Sequence, residues 1–400
     1  MTTALLVVDR RFISREDGWY TSGPIGPETG ERYLKYFDRV IVVGRAEQER
    51  SAIEQSKAAL TKLDPRVEVQ IVPGISGLKN RLSRVSTLRA RLFVLLEKCD
   101  CLIARLPTEI GLEAVAVAAR MNRPIAAEVG GCAFDGYWNH GSVAGKIAAY
   151  PAYLRMRRAL LKCDFVSFVT KEYLQSRYPT TAGVILACPN VQIPEPEIAV
   201  LDKRLCKIEA RRRPIIFGTL GSLEGSQKGI RDAIESLAIL REQIPEFQYQ
   251  VVGGGNQRSY LELARKLGLQ ERVIFHGSVP AGVRVLDWLD TIDVYLHPSH
   301  REGVPRAIIE AMSRGCPVIA SSVGGTSELI DASNRHPAKS IPSLVHLLRK
   351  TTNPTWQISQ AHVNWHAARA YSQNELSPKR DSFWGAFAAL VGRNTVGAST

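Results

Sequence analysis

The stretch Asp293–Ile330 reads DVYLHPSHREGVPRAIIEAMSRGCPVIASSVGGTSELI. Its run VYLH, rich in β-branched and aromatic side chains, stops at His297–Pro298, as a buried strand does on leaving a parallel sheet. A polar loop then carries Glu302, Gly303 and Val304. Pro305 falls where the first helical turn is expected, because its fixed φ suits that position and its missing N–H costs nothing there. The helical pattern runs to Arg314, a second strand follows over Pro317–Ala320, and Gly324–Gly325 makes a second turn. Glycine beside the free N–H groups of a helix start forms a cradle for negative charge, aided by the helix dipole. A carboxylate beside such a cradle is repelled unless it faces hydroxyls. Glu302 and Glu310 are therefore expected to accept from sugar hydroxyls, with Glu310 about two turns down the same side of the helix. Either glutamate alone would read as a solvated surface charge. The strand, glycine, proline and second turn around them favour a site.

Outward from this stretch, short β-branched runs alternate with helical patterns, which predicts an α/β chain with parallel sheets. In the first half the expected strands are Ala4–Val8, Val40–Val43, Val67–Val72, Cys101–Arg105, Ile125–Glu128, Phe165–Thr170 and Val184–Ala187. In the second half they are Pro214–Gly218, Gln248–Val252, Arg272–His276, Val294–His297 and Pro317–Ala320. Expected helices include Lys228–Arg241, Ser259–Lys266 and Pro305–Arg314. Between the halves, Pro189, Pro194, Pro196 and Pro214 accompany a basic cluster from Lys203 to Arg213, so the domain boundary is placed there. The expected domains are 1–190, 191–370 and a closing helix within 371–400 that returns to the first domain. There is no internal repeat.

The 400 residues suffice for two cores. No apolar run is long enough to span a bilayer. The apolar run Ala4–Val8 gives way at once to Asp9, Arg10 and Arg11, so it reads as a first strand and not as a secretory signal. Seven cysteines (Cys99, Cys101, Cys132, Cys163, Cys188, Cys206 and Cys316) show no C-x-x-C spacing, which argues against a zinc site or disulfide framework and for a cytoplasmic protein. The net charge of +13, from 52 basic and 39 acidic side chains, calls for an anionic partner. Nucleic acid is disfavoured, because neither basic segment interleaves aromatics with its cations. From Val69 to Leu96 there is no acid, while Lys79, Arg81, Arg84, Arg89 and Arg91 accumulate and Leu78, Leu82, Val85, Leu88, Leu92 and Leu95 recur at helical spacing. That pattern fits either docking on an anionic leaflet or a helix with its stripe in the core.

Further segments carry a family resemblance. GSLEGSQKG (Gly221–Gly229), VVGGGNQRSYLELARKLGL (Val251–Leu269) and RVIFHGSVP (Arg272–Pro280), together with the Glu302-x7-Glu310 spacing, resemble the retaining glycosyltransferases of the GT-B fold. This is the family 4 type that includes bacterial polysaccharide and lipid-linked glycan enzymes. ARLPTEIG, AEVGGCAFDGYWNHG and FVTKEYLQSRYP look like its N-terminal-domain segments. The resemblance covers about residues 100–392 and is strongest over 214–330. It implies two Rossmann-like domains facing a central cleft, with the donor in the second. It further implies that Lys228 meets the donor diphosphate, Glu310 the ribose hydroxyls and Val279 the base through its backbone. Glu302 and the Gly303–Val304–Pro305 backbone would hold the transferred sugar.

The implied activity is sugar transfer from a nucleotide diphosphate to a glycan or lipid-linked acceptor, with retention. The basic segment suggests a peripheral position on the inner membrane, and the resemblance implies a place on the cytoplasmic side without cofactor or metal. The absence of any Asp-x-Asp agrees with the last point. Gly253–Gly254–Gly255 follows a strand as a nucleotide-binding turn does but lacks the full G-x-G-x-x-G, so only Gly254 is carried as a donor contact. Gly23 and Gly26, in SGPIGPETGERY, are further candidates for admitting the donor phosphate, and His140 for an acceptor-side contact beside the catalytic candidates Lys228 and Glu302. One departure stands out: Ser222 occupies the place where many relatives have Arg. The alternative is accordingly a weakened nucleotide-sugar-binding or scaffold protein. A GT-B epimerase would share the architecture without this glutamate spacing.

Overall fold

The computed structural model describes residues 1–21, 27–47, 60–75, 78–139, 142–191, 193–210, 214–244 and 246–397. Two compact units emerge, one of residues 1–188 and 378–400, the other Pro189–Ser377. Unit 1 holds strands β1 (Thr3–Arg15), β2 (Gly18–Thr21), β3 (Arg39–Ala46), β4 (Thr61–Lys62), β5 (Val67–Ile71), β6 (Cys101–Leu106), β7 (Ile125–Val129), β8 (Phe165–Phe168) and β9 (Val184–Ala187). Its helices are α1 (Pro27–Leu34), α2 (Leu78–Glu97), α3 (Glu109–Arg120), α4 (Ala133–Trp138), α5 (Val143–Leu160) and α6 (Tyr173–Arg177). The parallel part runs β5-β3-β1-β6-β7-β8-β9, and β2 and β4 hang antiparallel from the end of β1.

Unit 2 holds β10 (Ile215–Leu220), β11 (Phe247–Val252), β12 (Val273–Gly277), β13 (Val294–His297), β14 (Val318–Ser321) and β15 (Arg335–His336). Its helices are α7 (Ile198–Glu209), α8 (Ile230–Leu240), α9 (Arg258–Lys266), α10 (Val283–Thr291), α11 (Arg306–Ser313), α12 (Ile341–Arg349) and α13 (Pro354–Ala368). Its sheet is parallel throughout, in the order β12-β11-β10-β13-β14-β15. The last helix, α14 (Gln373–Gly397), begins in unit 2 and ends in unit 1.

Each sheet is buried on both faces, which is why its strands read as unbroken apolar runs. The core of unit 2 joins Phe217, Tyr249, Val251, Val294, Leu296 and Ile319 to Ile234, Leu237 and Leu348 of flanking helices. In unit 1, Phe383, Trp384, Phe387 and Val391 of α14 enter the core beside Leu6, Tyr33, Val42 and Ile103. The second unit keeps residues to Ser377, past the expected 370. Ile193 bridges to Ser372 and its carbonyl accepts from Gln373 N, which ties the start of α14 to unit 2.

Two expectations need correction, and α2 bears on the two readings of its stripe. Strand β1 does not stop at Val8: it continues through Asp9–Arg11 because its far end pairs with β2 as a ribbon. Pro305 is not inside the first turn. It is the N-cap, and α11 begins at Arg306. The apolar stripe of α2 does not face outward: Leu88, Leu92 and Leu96 are fully buried, Arg89 pairs with Glu113, and Arg91 donates to Ile71 O. Of the two readings of that stripe, Leu88, Leu92 and Leu96 take the core one.

Candidate active site

The strand order of unit 2 reverses between β10 and β13, the kind of switch point at which open α/β sheets bind ligands. The loop after β10 must come close to the loop after β13. Gly229 makes this possible: its φ is +63°, and a Cβ on it would lie 1.9 Å from Pro298 O. His300 N donates to Gln227 O at 2.7 Å across the same seam. The stem of Lys228 lies over Gly221, where a Cβ would sit 2.8 Å from Lys228 Cγ. A third loop, after β14, closes in through Gly324, whose Cβ would lie 2.2 Å from Glu302 O, while Gly325 N donates to Gly303 O at 2.6 Å.

This framework brings Lys228 Nζ to 2.7 Å from Glu302 Oε1. His297 Nε2 lies 2.9 Å from the same oxygen, and Tyr295 OH lies 3.4 Å from His297 Nδ1. Burial by itself would raise the Glu302 carboxyl. The hydrogen bond from His297 and the nearby positive charge of Lys228 outweigh it and hold the group well below the usual carboxylate range. Burial depresses His297 more than its hydrogen bond to Glu302 lifts it. A neutral imidazole that donates Nε2–H to the carboxylate and keeps Nδ1 as an acceptor for Tyr295 satisfies both facts. Both donors reach Oε1, and no hydrogen bond to Oε2 is seen among the described residues.

Glu310 lies on α11, half-buried, and burial raises its carboxyl above the ordinary value while Arg306 only partly offsets that. Its carboxylate has no hydrogen-bond or ion-pair partner among the described residues. It is an acceptor without a donor, which is what a vicinal diol supplies. Glu302 is on the loop and not on the helix, so the two glutamates do not share one helical side as the spacing suggested. The other half of the spacing argument, a carboxylate repelled from an anion cradle, is answered directly: Lys228 neutralises Glu302.

The remaining candidates fall as follows. Ser222 is exposed and its hydroxyl accepts from Glu224 N at 3.1 Å, closing the turn. Arg231, a nearby cation, pairs with Glu235 at 3.4 Å on the exposed side of α8. Gly254 accepts from Leu223 N at 2.8 Å, so its carbonyl steadies the 221–223 turn. Val279 is half-buried in the loop after β12, two strands from β10. Gly303, Val304 and Pro305 line the approach to α11. Gly23, Gly26 and His140 lie outside the described residues.

A model of the family "Glycosyl transferases group 1" matches residues 214–345, the segment that contains every one of these unit 2 groups. Protein CapJ of Staphylococcus aureus is 27% identical over 347 residues, covering 87% of this chain and 85% of CapJ. The chain carries a group 1 glycosyltransferase domain over residues 214–345. Amylovoran biosynthesis glycosyltransferase AmsK of Erwinia amylovora is 32% identical over 161 residues, 37% of this chain and 38% of AmsK. The crystal structure of Anabaena HepE in complex with UDP-glucose superposes with a TM-score of 0.64 at 17% identity, covering 97% of this chain and all of HepE. That likeness shows the GT-B fold.

Some groups of this glycosyltransferase escaped the sequence reading. His297 was taken only as a strand end, although a histidine closing an apolar strand beside a glycine loop is itself a signal. His300 Nε2 lies 2.8 Å from Asp232 Oδ2 at the start of α8. In unit 1, the strand order reverses between β1 and β6. There Glu128 is shared by Arg105 at 2.8 Å and by Arg32. Burial would raise Glu128, and the two guanidinium charges pull it below the ordinary value. Among the described residues no cluster of three or more His, Cys, Asp or Glu side chains could hold a metal ion.

Proposed function

We propose that this glycosyltransferase moves a sugar from a nucleotide diphosphate to a glycan or lipid-linked acceptor during polysaccharide assembly, with retention and without a metal. The observation that carries this reading is the ionised Glu302 held by Lys228 and His297 at the switch point, with Glu310 unpartnered one helix away. Lys228 is the cation for the diphosphate. When the donor enters, its phosphate oxygens compete with Glu302 for the ammonium, and Oε2 of Glu302 accepts from a sugar hydroxyl. The bond from the anomeric carbon to the diphosphate breaks, the acceptor oxygen bonds on the same face, and the acceptor proton passes to the leaving phosphate. Glu302 positions and is not the nucleophile. The missing Asp-x-Asp and the lysine beside the site support a metal-free route. HepE was crystallised with UDP-glucose and AmsK is named for amylovoran biosynthesis, so UDP-sugars are the first donors to try.

The test is a panel of nucleotide sugars scored by thermal stabilisation, where a ligand at 100 times its Kd adds about 2.7 kcal/mol. The stabilising donor is then assayed for transfer, and the anomeric configuration of the product is read by proton NMR. No stabilisation by any nucleotide sugar sinks the reading. Stabilisation without transfer or donor hydrolysis supports the silent-binder alternative, for which exposed Ser222 in place of a cation is the motive.

A further inference from the structure

Helix α5 turns Ala149, Ala152, Met156, Ala159 and Leu160 into unit 1. Its opposite side is bare and apolar: Val143 is 75% exposed, Ile147 72%, Tyr150 61%, and Leu161 at the helix end 51%. At about 100° per residue these four fall along one line, and Lys146, Arg157 and Arg158 lie within about 60° on either side of it. Trp138, at the end of α4, adds an exposed ring that Lys146 Nζ approaches to 5.7 Å. From Gly136 to Cys163 there is no acidic residue. Lys146, Arg158 and Lys162 are exposed, and among the described residues none of them, nor Arg157, has an ion pair. Arg155, on the inner side, is committed to Glu109 and Glu113.

We infer that this face of α5 docks the protein on an anionic membrane leaflet. The charge pattern selects the occupant. An apolar line flanked on both sides by uncommitted cations, with Trp and Tyr among the apolar groups, suits acyl chains below and acidic headgroups at the rim. A protein partner would favour fewer lysines around the contact, whereas Lys146 and Lys162 border this one. The +13 charge of the whole chain adds long-range attraction of the same sign. The surface lies in unit 1 and does not depend on the donor-site reading.

The experiment is flotation with vesicles of phosphatidylcholine containing phosphatidylglycerol and with phosphatidylcholine alone. Wild-type protein should float with the acidic vesicles at low salt, release as salt rises, and bind the neutral ones poorly. Ile147→Ser with Tyr150→Ser should weaken binding at least about tenfold, since two apolar side chains no longer leave water. Arg157→Gln with Arg158→Gln should weaken binding to the acidic vesicles alone, and Arg84→Gln with Phe93→Ser on α2 should leave it unchanged. All these positions are at least partly exposed, so circular dichroism melts should match wild type, and Val143→Ser provides an independent check on the apolar line. Three results would overturn the inference. They are wild-type protein that ignores acidic vesicles at low salt, an unaffected Ile147/Tyr150 variant, or a wild-type dimer in sedimentation that this variant dissolves, which would assign the face to a second copy.

Discussion

Lys228 pairs with Glu302 at 2.7 Å, and under the proposed function it also meets the donor diphosphate. Lys228→Met removes a charge-assisted contact of about 1.5–3 kcal/mol, so donor affinity should fall about 10–150-fold in calorimetric titrations. An unchanged affinity would remove Lys228 from the donor site. His297 leaves its mark on the pH dependence of stability. Its folded pKa lies below the ordinary 6.5. Between that depressed value and about 6.5 the unfolded chain binds a proton that the folded chain does not, so stability falls on acidification through this window. Glu302, also depressed, contributes stability that is present above about 4.3 and is lost as pH falls toward its folded value. His297→Gln keeps an N–H donor for Glu302 and removes only the first contribution. Denaturant titrations at about pH 7 and about pH 5 should therefore show a smaller stability loss in the variant than in wild type. Equal losses would mean that His297 is protonated in the fold. Glu302 and Lys228 were legible because their motif spacing is local. Their mutual ion pair was not, because it depends on the approach of two loops 74 positions apart in sequence.

That approach is the work of loops and caps. Gly229→Ala places a Cβ against Pro298 O at a left-handed φ, which alone costs about 1–2 kcal/mol before the clash is counted. The denaturation midpoint should drop, and donor stabilisation should drop with it because the displaced turn carries Lys228. Wild-type values for both would show that the loops do not need their close seam. Arg204 does comparable work behind the sheet: it is buried and donates to Leu289 O at 2.8 Å, Arg314 O at 3.1 Å and Ile292 O, capping the end of α10. The strand Val294–His297 was legible to the residue, since buried parallel strands are short unbroken apolar runs. The β1–β2 ribbon was not, because Asp9–Arg11 interrupts the apolar pattern where β1 shifts register against β3, before pairing with β2 begins at Ile13. The stripe of α2 was read correctly as a stripe, but spacing cannot tell whether protein or lipid covers it. Leu88, Leu92 and Leu96 face protein.

The two units have separate cores, and α14 belongs to both chain segments at once: its first residues are held by Ile193, and its aromatic residues by unit 1. A closing helix within 371–400 was expected from the sequence and its family resemblance. The burial of Trp384 against Tyr33, with ring centroids 5.0 Å apart and nearly perpendicular, was not, because the contact joins residues from opposite ends of the chain. Trp384 is almost fully buried, so Trp384→Ala should cost about 3–5 kcal/mol through lost transfer energy and the cavity left behind. That cost falls on unit 1, whose core holds Trp384, and not on the cluster around Phe217 and Tyr249 in unit 2. A chain of two cores need not unfold in one step. Scanning calorimetry of the variant should therefore show one transition moved to lower temperature and one in place. The stationary transition should be the one that rises when the stabilising nucleotide sugar is added, since Lys228, Glu302 and Glu310 all lie in unit 2. If both transitions shift together, the units melt as one cooperative body. If the nucleotide raises the transition lowered by Trp384→Ala, the donor is held in unit 1, and the role given to Lys228 fails with it.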